Sequence, residues 1–232
     1  MARTLIRVGH KGADHVAPGN TAASFEAALA CGVHMIEFDV LPMDDGRLVL
    51  AHDYADAGSR TPLTLDEGLD HLADPGYEGI ELDVDLKLPG YEQAVIDALR
   101  SRGLVDRALV SSTYPESLKL VGELEPAIRR GLSVPRARRD YTTSPLLVLP
   151  AYAVITWLRS VLPGRAERAI RAGECEAIMA FRMLVSPKLV QAVHRAGGQV
   201  YVWTVDDAAE IRRLEKMGVD AVITNDPRLF DS

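Results

Sequence analysis

Short apolar runs alternate along the chain with segments whose apolar positions recur at helical spacing. Runs rich in β-branched residues predict strands over 5–9, 35–41, 79–86, 107–111, 127–133, 176–181, 199–205 and 221–224. Helical spacing predicts helices over 20–32, 64–72, 91–102, 115–124, 187–196 and 208–217. The stops fit: Gly32, Gly103, Gly197 and Gly218 follow the helical patterns, Thr64 and Glu67 have capping-box spacing, and Pro115 suits a first turn. A further short strand over 47–51 follows the turn Asp44-Asp45-Gly46 and stands apart from the eight. Eight strands interleaved with helices predict an α/β fold, the TIM (β/α)8 barrel, rather than an open sheet. The 232 residues suit one such domain over 1–232, since a barrel of this kind takes about 250 residues.

One stretch exceeds a minimal barrel. Between Val134 and Glu174 the chain opens basic, with Arg136, Arg138 and Arg139, and predicts an extended apolar helical segment around 146–172. Its apolar run, 146–162, is interrupted by Thr156, Arg159 and Ser160, and Pro150 and Pro163 flank its centre. It is shorter than the roughly 20 residues a membrane span needs. Three readings stand: a barrel helix with its apolar face on the sheet, a surface helix making a peripheral membrane or lipid contact, or an oligomer contact.

Polar residues break the apolar runs at particular places. His10-Lys11-Gly12 ends the first strand, Glu37 and Asp39 sit inside MIEFDV, and His52-Asp53 ends the 47–51 strand. Strand side chains alternate faces, so Glu37 and Asp39 point the same way, between apolar Ile36, Phe38 and Val40. Two carboxylates on one face of an apolar strand repel each other and are costly to bury. A divalent cation relieves both penalties, and carboxylate oxygens suit Mg or Ca. Two histidines at strand ends add groups that titrate near neutrality. On the 79–86 strand, Glu81, Asp83 and Asp85 share one face with Lys87 just beyond it.

These residues form an ordered set: His10 to Gly12, Pro18 to Thr21, Ser24-Phe25, Gly32, Ile36 to Val40, Asp45-Gly46, His52-Asp53, Leu82 to Lys87, Val202 to Asp206 and Gly218 to Pro227. The set resembles the glycerophosphodiester phosphodiesterase family of metal-dependent TIM-barrel enzymes. The resemblance implies Glu37, Asp39 and Asp85 as metal ligands, Lys11 and Lys87 as phosphate contacts, and His10 and His52 as general acid and base. It implies hydrolysis of a glycerophosphodiester, a small-molecule substrate, to sn-glycerol 3-phosphate and an alcohol. Trp203 in VWTVD is expected either to pack on that substrate or to fill the core. Ser111, Ser112 and Thr113 are expected to line the cleft. The chain departs from the family pattern at three places: Lys11 replaces an arginine, Gly19 a glutamate, and Asp85 a glutamate one methylene longer. Two alternatives follow, a lysophospholipid phosphodiesterase and a non-catalytic barrel that binds a phosphorylated ligand.

Charge and cysteines add constraints. The net charge of -7 excludes a nucleic-acid partner held by electrostatics. No Ser-His-Asp constellation, Gly-rich phosphate loop or zinc spacing is present. Cys31 and Cys175 lie far apart without redox spacing; Cys31, in an apolar helical run, reads as a buried thiol. MARTLIRVGH lacks the apolar core of a signal peptide, so a cytoplasmic location is expected, with membrane association added if 146–162 meets lipid. His15 reads as surface, and His34, His71 and His194 as structural or solvated.

Overall fold

The computed structural model describes residues 4–136 and 148–232, and the side chains of 148–153 fall outside that description. The strands are β1 (Ile6–Gly9), β2 (Met35–Pro42), β3 (Leu48–Val49), β4 (Glu81–Leu86), β5 (Ala108–Ser112), β6 (Arg129–Val134), β7 (Ala177–Phe181), β8 (Gln199–Trp203) and β9 (Ala221–Thr224). The helices are α1 (Ala22–Ala30), α2 (Tyr54–Ser59), α3 (Leu65–Leu72), α4 (Glu92–Ser101), α5 (Pro115–Leu124), α6 (Val148–Arg171), α7 (Pro187–Arg195) and α8 (Ala208–Met217). Strand β1 pairs in parallel with both β9 and β2, which closes β1-β2-β4-β5-β6-β7-β8-β9 into a ring. This is the eight-stranded TIM barrel. The extra strand β3 lies outside the ring, antiparallel to the end of β2.

The period-2 alternation sorts each strand's side chains between two environments. On β2, Ile36, Phe38 and Val40 pack outward beneath the helices, where Phe25 and Phe38 meet at 5.9 Å between ring centroids. On the inner face, Met35 joins Val8, Leu109, Met179, Tyr201 and Ile223 in the barrel interior. Glu37 and Asp39 share Met35's face, so they point into the barrel above this plug. Helix α1 starts where Thr21 accepts from Ser24 N–H in a reciprocal cap, and its Phe25 and Ala28 are fully buried.

Three expectations change. Cys31 ends α1 half-buried rather than buried, because it caps the helix at its surface. Ser112 faces outward, donating from Oγ to the Leu86 carbonyl, and so does not line the cleft. The short helix α2 had no helical periodicity to reveal it; Asp53 caps it by accepting from Asp56 N–H.

Helix α6 matches the extended segment expected around 146–172. Its lower half is a barrel helix, with Leu162, Ala166 and Ala169 buried in the outer core against β7 and α7. Arg138, Arg139 and the start of the 146–162 run lie outside the described residues. Among the described residues, no helix is long and apolar enough to cross a membrane.

Candidate active site

Strands β2 and β4 run side by side with Glu37 opposite Asp83 and Asp39 opposite Asp85. The register therefore brings four carboxylates to the inner face of two adjacent strands, at their C-terminal ends. Glu37, Asp39 and Asp85 each offer an oxygen, all within 4.8 Å of one another. Asp39 is fully buried and Glu37 nearly so. Lys87, just past the end of β4, turns its ammonium back into this cluster: it pairs with Asp39 and lies 2.5 Å from Asp85.

The electrostatics follow from this crowding. Burial and the Asp39 charge push the Glu37 carboxyl well above its usual range. Burial also acts against Asp39, but Lys87, His52 and His10 outweigh it and hold that carboxyl below the usual range. Burial lowers Lys87, and Asp39 and Asp85 more than reverse it, leaving the ammonium well above its ordinary value. Beneath the cluster, burial pushes Asp83 up to about 7, against the hydrogen bond from Ser111. Ser111 Oγ donates to Asp83 Oδ1 at 2.6 Å, while Asp83 Oδ2 has no hydrogen-bond partner. Three convergent carboxylates, with Asp39 Oδ1 held only by the Lys87 ammonium, fit a hard divalent cation such as Mg or Ca.

The two histidines flank the cluster from different elements. His10 follows β1; its Nε2 lies 3.8 Å from Glu37 Oε2 and its Nδ1 2.5 Å from Asn225 Oδ1. Asn225 donates from Nδ2 to Asp206 Oδ2 at 2.7 Å, which turns Oδ1 towards His10. That network assigns the proton to Nδ1 of neutral His10 and leaves Nε2 as an acceptor facing the cavity. Burial pulls His10 below its usual value, with Asp39 and the Asn225 bond offsetting only part. His52 comes from the turn after β3 and is half-exposed at the mouth, with Nδ1 3.3 Å from Asp53 Oδ2. His15 is exposed, while His34, His71 and His194 make structural bonds to Arg7 N–H, Tyr77 and Asp220.

The loop from His10 to Thr21 wraps over the carboxylates. Lys11 has φ +51, and its N–H donates to Glu37 Oε2 at 2.8 Å. Its ammonium reaches Asp14 Oδ2 at 3.4 Å rather than the acid cluster. Asp14 Oδ1 also accepts from Gly19 N–H at 2.9 Å. A Cβ on Gly19 would stand 2.6 Å from that same oxygen, so this path of the loop requires glycine. Gly12, at φ +87, is equally constrained, since a Cβ there would meet the Ser24 backbone at 2.6 Å. Thr21 caps α1, and Asn20 before it turns inward to Asp39.

Above the cluster opens a cavity of about 650 Å³. His10, Glu37, His52, Asp85 and Lys87 line it together with Ser111, Thr113, Tyr114, Arg136 and Trp203. Trp203 donates from Nε1 to the Met179 carbonyl at 2.8 Å and packs its ring on Phe181, and it also forms cavity wall. Lys11 lines an adjoining 520 Å³ recess with Asp14, Gly19 and His52. Asp14, Asn20, Asp206 and Asn225 are site residues that the pattern of the chain did not single out, and Asp83 had its strand face placed but no role. Asp206 and Asn225 lie within segments that carried the resemblance, but nothing local marks a bond across 215 positions to His10.

The model of the glycerophosphoryl diester phosphodiesterase family matches residues 10–67 and 85–229. The chain belongs to this family. A glycerophosphodiester phosphodiesterase from Caldanaerobacter subterraneus is 27% identical over 97% of the chain and 95% of its own length. Among solved structures, the glycerophosphodiester phosphodiesterase of Agrobacterium tumefaciens shares the fold at TM-score 0.68 and 22% identity, covering 98% of the chain and 99% of its own. A phosphodiesterase from Oleispira antarctica, solved with the product sn-glycerol-3-phosphate, superposes at TM-score 0.73 and 22% identity, covering 99% and 98%. In the entry loop of this chain the Asp14 carboxylate holds the Lys11 ammonium and the Gly19 backbone together.

Proposed function

We propose that this chain hydrolyses a glycerophosphodiester to sn-glycerol 3-phosphate and an alcohol, with a divalent cation as cofactor. The observation that carries the reading is the convergence of Glu37, Asp39 and Asp85 within 4.8 Å in a cavity that His10 and His52 also line. Glu37, Asp39 and Asp85 would hold the cation, which supplies positive charge against a nonbridging phosphoryl oxygen. His10, with Nδ1 tied to Asn225, presents Nε2 to the cavity, where it can accept or return a proton. His52, at the mouth, is placed to exchange the second proton with the other ester oxygen or with water. Lys87, whose ammonium sits beside Asp39 and Asp85, would offset phosphate charge. Lys11 contributes positive charge from the neighbouring recess. Trp203 offers an apolar wall to the glycerol or alcohol moiety.

The test is a metal titration of turnover on sn-glycero-3-phosphocholine, reading release of sn-glycerol 3-phosphate. Metal-dependent release that vanishes in His10→Ala and in His52→Ala supports the reading. Tight, metal-dependent binding of glycerol 3-phosphate with no turnover of any glycerophosphodiester would replace it with the non-catalytic barrel. A lysophospholipid is the second substrate class, favoured by Val154 and Trp157, which stand exposed on α6. Faster turnover of a lysophospholipid than of glycerophosphocholine would select it.

A further inference from the structure

Helix α6 is out of proportion to the rest of the barrel. It has 24 residues, whereas α1, α3, α4, α5, α7 and α8 have 8 to 10. At 1.5 Å per residue it is about 36 Å long, more than twice the length of its neighbours. Among its described side chains, the buried ones, Leu162, Ala166 and Ala169, all fall in its second half. Because α6 follows β6, its first half lies at the C-terminal end of the barrel, the end that carries the cavity. The first turns therefore extend past the sheet. Ile155 and Leu158 are half-buried there, while Val154 and Trp157, one turn apart, are each 54% exposed.

The charge around these two side chains is one-sided. The chain as a whole has 33 acidic and 26 basic residues. Yet 148–166 contains Arg159 and Arg165 and no carboxylate, and 177–205, which includes the adjacent α7, contains none either. Arg165 stacks over the Trp157 ring at 5.6 Å. Arg159 donates to the Val185 carbonyl, and Lys188 stands exposed in the first turn of α7. Among the described residues, no carboxylate pairs with Arg159, Arg165 or Lys188. An exposed indole and valine, with Arg165 over the ring, Arg159 two residues along and Lys188 on the adjacent α7, match the chemistry of a bilayer interface: the ring and methyls enter the headgroup boundary while the cations meet lipid phosphates.

We propose that Val154, Trp157 and Arg165 of α6, with Lys188 of α7, dock this protein on an anionic lipid surface with the cavity mouth at that surface. This stands apart from the phosphodiesterase reading, because vesicle binding is measured without turnover. The experiment is co-flotation of the full chain with phosphatidylcholine vesicles, with and without phosphatidylglycerol, at low and high salt. Expected is binding to the anionic vesicles that weakens with salt, falls at least about tenfold in the Val154→Ser/Trp157→Ser double variant, and loses its preference for anionic lipid in Arg165→Gln/Lys188→Gln. Turnover of a water-soluble substrate should be unchanged in both variants, which also reports that they fold; the charge variant carries the test alone if the apolar one does not fold. No binding at low salt, equal binding to vesicles without phosphatidylglycerol, or unchanged binding in the variants overturns the proposal. So does self-association of the chain in the absence of vesicles that the same variants abolish, because a second copy then covers the face.

Discussion

Asn20 and Asp39 exchange two hydrogen bonds inside the barrel mouth. Asn20 Nδ2 donates to Asp39 Oδ2 at 2.8 Å, and Asp39 N–H donates to Asn20 Oδ1 at 3.1 Å. Both residues are fully buried, and Asn20 sits at φ +57 just before the α1 cap. The exchange fixes the Asp39 carboxylate with Oδ2 occupied and Oδ1 turned towards Lys87 and the acid cluster. Asn20→Ala leaves buried polar groups without partners, at a cost of about 1–3 kcal/mol. It should also weaken metal binding by roughly 10- to 100-fold, as loss of an outer support does. Calorimetric metal titration and urea unfolding read the two effects, and unchanged metal affinity would show that Asp39 holds its orientation alone.

The histidines are expected to contribute to rate rather than to folding. His10→Ala and His52→Ala should each lower turnover by about 100- to 10,000-fold. The thermal midpoint of His52→Ala should barely move, because that ring is half-exposed. Asn225→Ala should lower turnover less than His10→Ala, since it frees the ring rather than removing it. Equal rates in wild type and His10→Ala would refute the role given to the Asn225-anchored imidazole.

Removal of divalent cations with a chelator should stop turnover, and Mg or Ca should restore it. Asp85→Ala should raise the metal concentration for half-maximal activity by at least about tenfold. Metal at 100 times its dissociation constant should stabilise the fold by about 2.7 kcal/mol, read as a rise in melting temperature. A melting temperature indifferent to metal would remove the cation from Glu37, Asp39 and Asp85.

Asp83 gives the metal-free protein a pH dependence of definite sign. Its folded value is about 7, above the unfolded value of about 3.9, so the folded state holds this proton more firmly. Stability from this group is fully present below about pH 4 and is lost as pH rises through about 7, by up to roughly 4 kcal/mol. Glu37, also raised, acts in the same direction. The lowered Asp39 acts only below the unfolded carboxylate range, outside this window. Asp83→Asn should therefore flatten the fall in stability between pH 5 and pH 8. Urea unfolding with chelator present measures it, and an equally steep fall in the variant would assign the loss to other groups.

The entry loop should show coupling between Asp14 and Gly19. Gly19→Ala places a Cβ 2.6 Å from Asp14 Oδ1 and 2.8 Å from Lys11 Cβ, and should cost about 1–3 kcal/mol. Asp14→Ala removes the nearer obstacle, so the double variant should be more stable than the sum of the two single effects by at least about 0.5 kcal/mol. Strict additivity in unfolding free energies would mean that the loop moves aside without involving Asp14.

The period-2 alternation placed Glu37 and Asp39 on one inward face, because strand geometry is local and survives any packing. The β/α alternation was likewise enough for the barrel, and the apolar run 146–162 was enough to expect an extended helix around 146–172. Short-range signals failed at α2, whose YADAGS lacks a helical stripe, and at Ser112, where a strand end shifted by one residue reverses the facing. Nor did any local signal show that the Lys11 and Lys87 ammonium groups each reach a carboxylate.

The sequence by itself determined the barrel, the carboxylates that share a strand face and the histidines at strand ends, since each is a statement about neighbours along the chain. Tertiary structure alone decided that Asn225 holds His10, that Asn20 braces Asp39 and that Asp14 fills the place beside Gly19. The first contact exists because β9 closes the ring against β1, and the other two because the entry loop folds back over β2. Such partners are chosen by ring closure and by the demand that buried polar groups be satisfied, and neither leaves a periodic trace in the residues that answer it.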